Sequence, residues 1–267
     1  MAPFPCPRPF GPLALAFLAM AAAGCQTTHP TTTADTTGSV GLAASLPAGA
    51  PRDGAPRREL DAAGALYRAD PGNPDAAIRY AAALRAIGER AQAAAVLEQA
   101  SIKHPSNKVV LAAYGRALAD AGNYSQAFEI LSRAHTPEQP DWRLLSVQGA
   151  VLDQMGRHEE ARRYYASALK LAPDDPAVLS NLGLSYALAK DLKQAETILR
   201  RAAARPGAEA RVRQNLALVV GLQGRYQEAE EIARADLPPE AAAANVAYLR
   251  EVLSGKSDWK QLGRPGA

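Results

Sequence analysis

Four histidines, two cysteines and a few paired acids are the side chains in this 267-residue chain whose chemistry could go beyond packing. The histidines are His29, His104, His135 and His158. None lies one helical turn from a second ligand, and His158 beside Glu159 and Glu160 cannot build a zinc site alone. Each is expected to be a solvated surface residue. Nucleophilic serine chemistry would need a strained turn of the G-x-S-x-G kind, and dinucleotide or phosphate binding a glycine-rich loop; none of these patterns occurs. Asp174-Asp175 reads as an acidic turn favouring the start of the next helix. The expectation is a non-enzymatic protein with no metal, cofactor or small-molecule substrate. Of the cysteines, Cys6 and Cys25, neither lies beyond residue 25, so no disulfide can staple the rest of the chain.

Cys25 is the one nucleophile whose surroundings suggest a use. Residues 1–24 have the form of an export leader: a start carrying Arg8, an apolar run from Leu13 to Ala23, and small residues at its end. That run is too short to span a bilayer convincingly. Ala22-Ala23-Gly24-Cys25 resembles the lipobox of bacterial lipoproteins, which implies a diacylglyceryl thioether on Cys25, cleavage before it, and acyl chains on the new amino terminus. Ordinary cleavage after an A-x-A site, leaving a free thiol, is the alternative. Gln26 follows, whereas Asp at that place marks inner-membrane retention in enterobacterial lipoproteins; by that resemblance the protein is held at the outer membrane, facing the periplasm. Residues 25–57, rich in Thr, Pro, Ala and Gly, lack the apolar surface to offset the entropy of ordering, and read as a disordered tether with a reach on the order of 30 Å. The net charge of +3 includes Arg8, which leaves with the leader, so electrostatics give no case for a nucleic-acid partner.

The elements that carry the remaining side chains are set by a repeat. Trp142 to Asp175 reads as two short amphipathic helices joined at Gly156, with Leu145, Gly149 and Leu152 on one face and Ala161, Tyr165 and Ala168 on the other. Units in the same phase begin every 34 residues, at Pro74, Lys108, Trp142, Pro176 and Ala210. Position 20 is always Ala (Ala93, Ala127, Ala161, Ala195, Ala229), position 8 always small, and position 15 is Gly except at Lys190. A single hairpin cannot bury its own apolar face, so the units must stack. The period and the small residues at positions 8, 20 and 27 resemble the tetratricopeptide (TPR) repeat, implying an all-α fold, a right-handed superhelical solenoid with helical caps. Arg213 and Asp236 depart from the pattern in the last unit, where a neighbouring repeat is missing. The expected organisation is a leader over 1–24, a tether over 25–57, a capping helix over 58–73, and five repeats over 74–243 (74–107, 108–141, 142–175, 176–209, 210–243). Leu237-Pro238-Pro239 breaks the last helix of the array and Glu240 to Leu253 reads as one more helix, with the closing cap bounded at 244–254 and a flexible tail over 255–267; Trp259 in the tail either folds back on the cap or is free for a partner.

The resemblance to TPR arrays implies a concave groove lined by positions 2, 5, 9, 12 and 13. In repeats four and five these include Leu184, Ala187, Leu188, Leu218, Gly221 and Leu222, an apolar strip of the kind that marks interaction surfaces. Asn181 and Asn215 stand where TPR modules place an Asn that bonds a bound peptide. Arg85, Arg116 and Arg143, with Asp120 and Asp153, make the earlier groove polar. The alternative is that superhelical closure or the terminal helix buries the leucines. The stretch from Arg211 to Leu253, through Gln214-Asn215-Leu216-Ala217-Leu218, Glu230-Glu231-Ile232-Ala233, Asp236-Leu237-Pro238 and Asn245-Val246-Ala247-Tyr248-Leu249, resembles the TadD-like TPR lipoproteins of the tight-adherence (Flp) pilus assembly system. That resemblance implies protein partners among pilus assembly components, including the outer-membrane secretin that a pilotin-like protein would deliver. A lipoprotein scaffold for polysaccharide export or outer-membrane protein insertion would share these features, and an accessory to a cell-wall or peptidase enzyme is a further alternative.

Overall fold

The computed structural model describes residues 55–254, so the leader, Cys25, most of the tether and the tail with Trp259 lie outside the described residues. The described residues form twelve α-helices: α1 (Ala55–Ala69), α2 (Pro74–Ala86), α3 (Arg90–Lys103), α4 (Lys108–Asp120), α5 (Tyr124–Ala134), α6 (Trp142–Gln154), α7 (His158–Leu171), α8 (Pro176–Leu188), α9 (Leu192–Ala203), α10 (Ala210–Leu222), α11 (Tyr226–Ala233) and α12 (Pro239–Leu253). Five hairpins, α2/α3 to α10/α11, stack in chain order. From the second hairpin on, the first helix touches both helices of the hairpin before it, down to α10 on α8 and α9.

Local chemistry fixes the hairpin starts. Asn73, Asn107, Asp141 and Asp175 precede the first helices, and their side chains accept backbone N–H groups that the helix itself leaves unpaired. Pro74 and Pro176 add a preset φ at the first helical position. Between the two helices the chain reverses through a left-handed residue. Gly156 takes φ 76°, and at Lys190 a side chain is forced into the same region at φ 67°.

Packing within each hairpin turns on position 8 against position 24. A Cβ on Gly149 would stand 2.7 Å from the Tyr165 ring, and one on Gly115 2.5 Å from Leu131. In repeat five the same contact is made by Ala217 and Ala233, two small residues. The core therefore runs as a column of Ala and Leu, with Tyr165, Leu152, Leu131 and Leu199 essentially inaccessible.

Both caps differ from the sequence expectation. α1 starts at Ala55, so residues 55–57 belong to the capping helix rather than the tether; Ala63 and Gly64 are its buried face, and Tyr67 stacks on Tyr80 with ring centroids 5.4 Å apart. α12 runs from Pro239 to Leu253, within one residue of the helix read over Glu240–Leu253, so the repeat boundary between 243 and 244 falls inside it. Pro238 and Pro239 explain it: α11 stops after 8 residues, and Pro239 opens the next helix early.

Candidate functional site

The first helices α2, α4, α6, α8 and α10 lie side by side, each touching the next, and bring the predicted groove residues onto one array. Leu184 and Leu188 on α8 and Leu218 and Leu222 on α10 are all half-buried. The intervening position 12 serves the seam between repeats: Ala187 packs against the Leu216, Val219 and Val220 cluster, and Gly221 is buried where Leu249 of α12 closes over it. The closing helix therefore covers Gly221.

The two asparagines bond across the seams between repeats. Asn181 is buried, and its amide donates to the Ser146 hydroxyl at 3.1 Å; Asn215, half-buried, donates to Ser180 at 3.0 Å. Position 6 of one repeat thus bonds position 5 of the repeat before it, a polar rung that fixes the stacking of first helices. The groove expectation narrows to the leucines. The Ser residues at position 5 of repeats three and four, each followed one repeat later by Asn at position 6, were the sequence signal for this ladder.

The polar end also differs from a free cationic groove. Arg85 on α2 donates to Asp120 on α4, joining repeats one and two. Arg143 lays its guanidinium over the Trp142 ring, 4.6 Å from the centroid, and Arg116 is half-buried on α4. Asp153, expected to line the groove, is instead a buried hub. It accepts the Tyr165 hydroxyl at 2.9 Å and the Ser185 hydroxyl at 2.8 Å, and His158 Nδ1 lies 2.8 Å from the oxygen that takes Ser185. Burial pushes the Asp153 carboxyl above its ordinary range despite these partners, and burial with the adjacent carboxylate drives Tyr165 far up.

Ser185, His158 and Asp153 are the residue types of a hydrolase triad, in an order that does not activate the serine. A hydroxyl has one proton to donate, and Ser185 gives it to Asp153 rather than to His158. The cluster instead ties α6 to its own partner α7 and to α8 of the next repeat. His29 lies outside the described residues; the other three histidines are not simply solvated, since His158 pairs with Asp153, His135 Nε2 meets Gln148 Oε1 at 2.9 Å, and His104 Nε2 meets the Gly72 carbonyl at 2.7 Å.

The two departures in the last repeat belong together. Arg213, at position 4, donates to both carboxylate oxygens of Asp236, at position 27, at 2.7 and 2.5 Å, and to the Ala208 carbonyl at 3.0 Å. An ion pair fills the place where a large apolar residue and Ala would meet, and it raises the Arg213 pKa.

Tetratricopeptide repeat family models match residues 86–147 and 143–206. No curated protein matches the chain. Among solved structures it is similar to the APC/C hetero-tetramer Cut9-Hcn1, at 16% identity and TM-score 0.57 over 74% of this chain. It spans only 40% of that chain's length. It is also similar to a thermophilic TPR protein of Thermus thermophilus, at 22% identity and TM-score 0.58, covering 66% of this chain and 98% of that one. A tetratricopeptide repeat protein from Parabacteroides merdae superposes with TM-score 0.64 at 13% identity, over 73% of this chain and 77% of that one. These likenesses concern the fold. With helices starting at Pro74, Lys108, Trp142, Pro176 and Ala210, small residues at every hairpin contact, and tetratricopeptide-repeat matches across residues 86–206, the described residues fold as a tetratricopeptide-repeat solenoid.

Proposed function

We propose that this chain is a lipid-anchored adaptor that binds a protein partner through the concave face of repeats four and five, and that it serves Flp/Tad pilus assembly at the outer membrane. The observation that carries the binding part is the strip Leu184, Leu188, Leu218 and Leu222: four leucines on adjacent first helices that the fold leaves half-buried. Apolar surface kept at the water boundary on neighbouring helices suits an apolar segment of another protein. The pilus assignment is supported by the resemblance of Arg211–Leu253 to TadD-like lipoproteins, and the anchor by Ala22-Ala23-Gly24-Cys25. In this reading Cys25 carries the lipid, two or more acyl chains hold the protein at the periplasmic face, and the tether lets the array reach the secretin it delivers. The protein works by binding and placement, not by catalysis.

Cys25→Ser in the native host tests this reading, scored by the amount and membrane location of secretin multimers. The expected result is loss of outer-membrane multimers while the variant itself stays folded and abundant. Unchanged multimers would remove the pilotin role.

A further inference from the structure

Lys190 stands in a backbone conformation that the other hairpins reserve for glycine. Those hairpins turn through Gly88, Gly122, Gly156 and Gly224, all at positive φ, whereas the fourth turns through Lys190 at φ 67°. In this region a Cβ crowds the following carbonyl, so a lysine makes the turn less stable than a glycine would. The bonds that close the turn are backbone ones, from Lys190 N–H to the Ala187 carbonyl and from Asp191 N–H to the Tyr186 carbonyl, each at 2.9 Å. A glycine would keep both. What the lysine alone contributes is its ammonium group.

Lys190 is exposed, and among the described residues no carboxylate pairs with it. The cations in the corresponding turns on either side are both held: Arg157 by Glu160, and Arg225 by Glu196 and Glu228. The acids around Lys190 are already used. Asp191 accepts the Gln194 N–H at the start of α9, at 3.1 Å, and Glu196 is shared by Arg200, Gln223 and Arg225. The turns of repeats four and five lie side by side, tied by Gln223 to the Leu192 carbonyl and by Arg225 to Glu196. Lys190 therefore sits at the carboxyl end of α8, just beyond Leu188, in the row that holds the end of α10 with Leu222. Strain and an unpaired charge meet at the rim of the leucine strip, and the isolated fold gains from neither.

We infer that Lys190 selects the partner of the leucine strip: the segment bound along Leu184, Leu188, Leu218 and Leu222 carries an Asp or Glu that meets the Lys190 ammonium at the carboxyl end of α8. This rests on the strip being the binding surface. Apolar contact supplies the affinity, and the ion pair decides which segment is accepted and which way round it lies.

The test is Lys190→Gly in the full-length chain, with Lys190→Arg keeping the charge, each scored by melting temperature and by the secretin recovered with it from the native host at low and at high salt. Lys190→Gly should melt about 2–4 °C higher, because the turn is relieved. It should nevertheless recover several-fold less secretin at low salt, with the difference from the unsubstituted chain narrowing at high salt. Lys190→Arg should recover close to the unsubstituted amount. A lysine with only a structural role would give the higher melting temperature without the loss of partner. Unchanged recovery on Lys190→Gly, or equal loss on Lys190→Arg, overturns this inference alone when Leu184→Glu with Leu218→Glu still loses the secretin. Secretin kept by that leucine variant, or absent from the unsubstituted chain, overturns the strip as the binding surface and this inference with it.

Discussion

Tyr165 leaves no room for a side chain at Gly149. The ring is buried and its hydroxyl is held by Asp153, so it cannot move aside for a Cβ that would sit 2.7 Å away. Gly149→Ala, which in an exposed helix would stabilise by about 1 kcal/mol, should here destabilise by about 1–2 kcal/mol, because overpacking outweighs helix propensity. Urea unfolding checks this, and Tyr165→Leu in the same chain should recover part of the loss. The small residue at position 8 was legible from its recurrence; the identity of its neighbour followed from the frame. The Arg213–Asp236 pair was legible only as two departures, because periodicity reports what a position usually holds and is silent on which exceptions meet. Asp236→Ala should cost about 1–3 kcal/mol by stranding Arg213, whereas Arg213→Leu with Asp236→Ala, which restores the residues usual at those places, should cost less than either single change. A double-mutant cycle measures the coupling.

Beside the Asn–Ser rungs that recur at 34 residues, helices meet through polar clusters that the period cannot reveal, since these differ from seam to seam. Between repeats three and four such a cluster joins Asp153 and Ser185; between repeats four and five another centres on Glu196 of α9, which accepts Gln223 at 2.8 Å and pairs with Arg225 and Arg200. The bond from Arg225, aided by Gln223 and Arg200, lowers the Glu196 pKa from its usual 4.5 to about 2. A carboxyl with a depressed folded pKa favours the folded state above its unfolded pKa, and that contribution disappears as the pH falls through the folded one. Melting temperature should therefore drop between pH 4.5 and about 2, and Glu196→Gln should flatten that part of the profile while costing about 1 kcal/mol near neutrality, the arginines being solvent-screened. Helix ends were easier to read. The Asn and Asp caps and the Pro residues are local signals, and the five first helices begin in step with the repeat; α12 breaks step because the Pro pair overrides the period.

At the scale of the whole molecule the array offers one partly apolar surface on its first helices. Fold class was legible because stacking demands the same small residues in every unit. The candidate groove was legible only in part. Position numbers singled out Leu184, Leu188, Leu218 and Leu222, which are half-buried, but also Asn181 and Asp153, which are buried and bonded across a seam. A lining position and a seam position lie a few residues apart on one short helix, and only the packing of the neighbouring repeat separates them.

The central claim is that the leucine strip holds the partner, and the most direct measurement is recovery of partners on the full-length protein purified from its native host. Leu184→Glu with Leu218→Glu should leave the helical content and melting temperature close to those of the unsubstituted chain, since both side chains are only half-buried, and should abolish co-purification of the secretin. Secretin recovered in unchanged amount on a folded double variant would contradict the account.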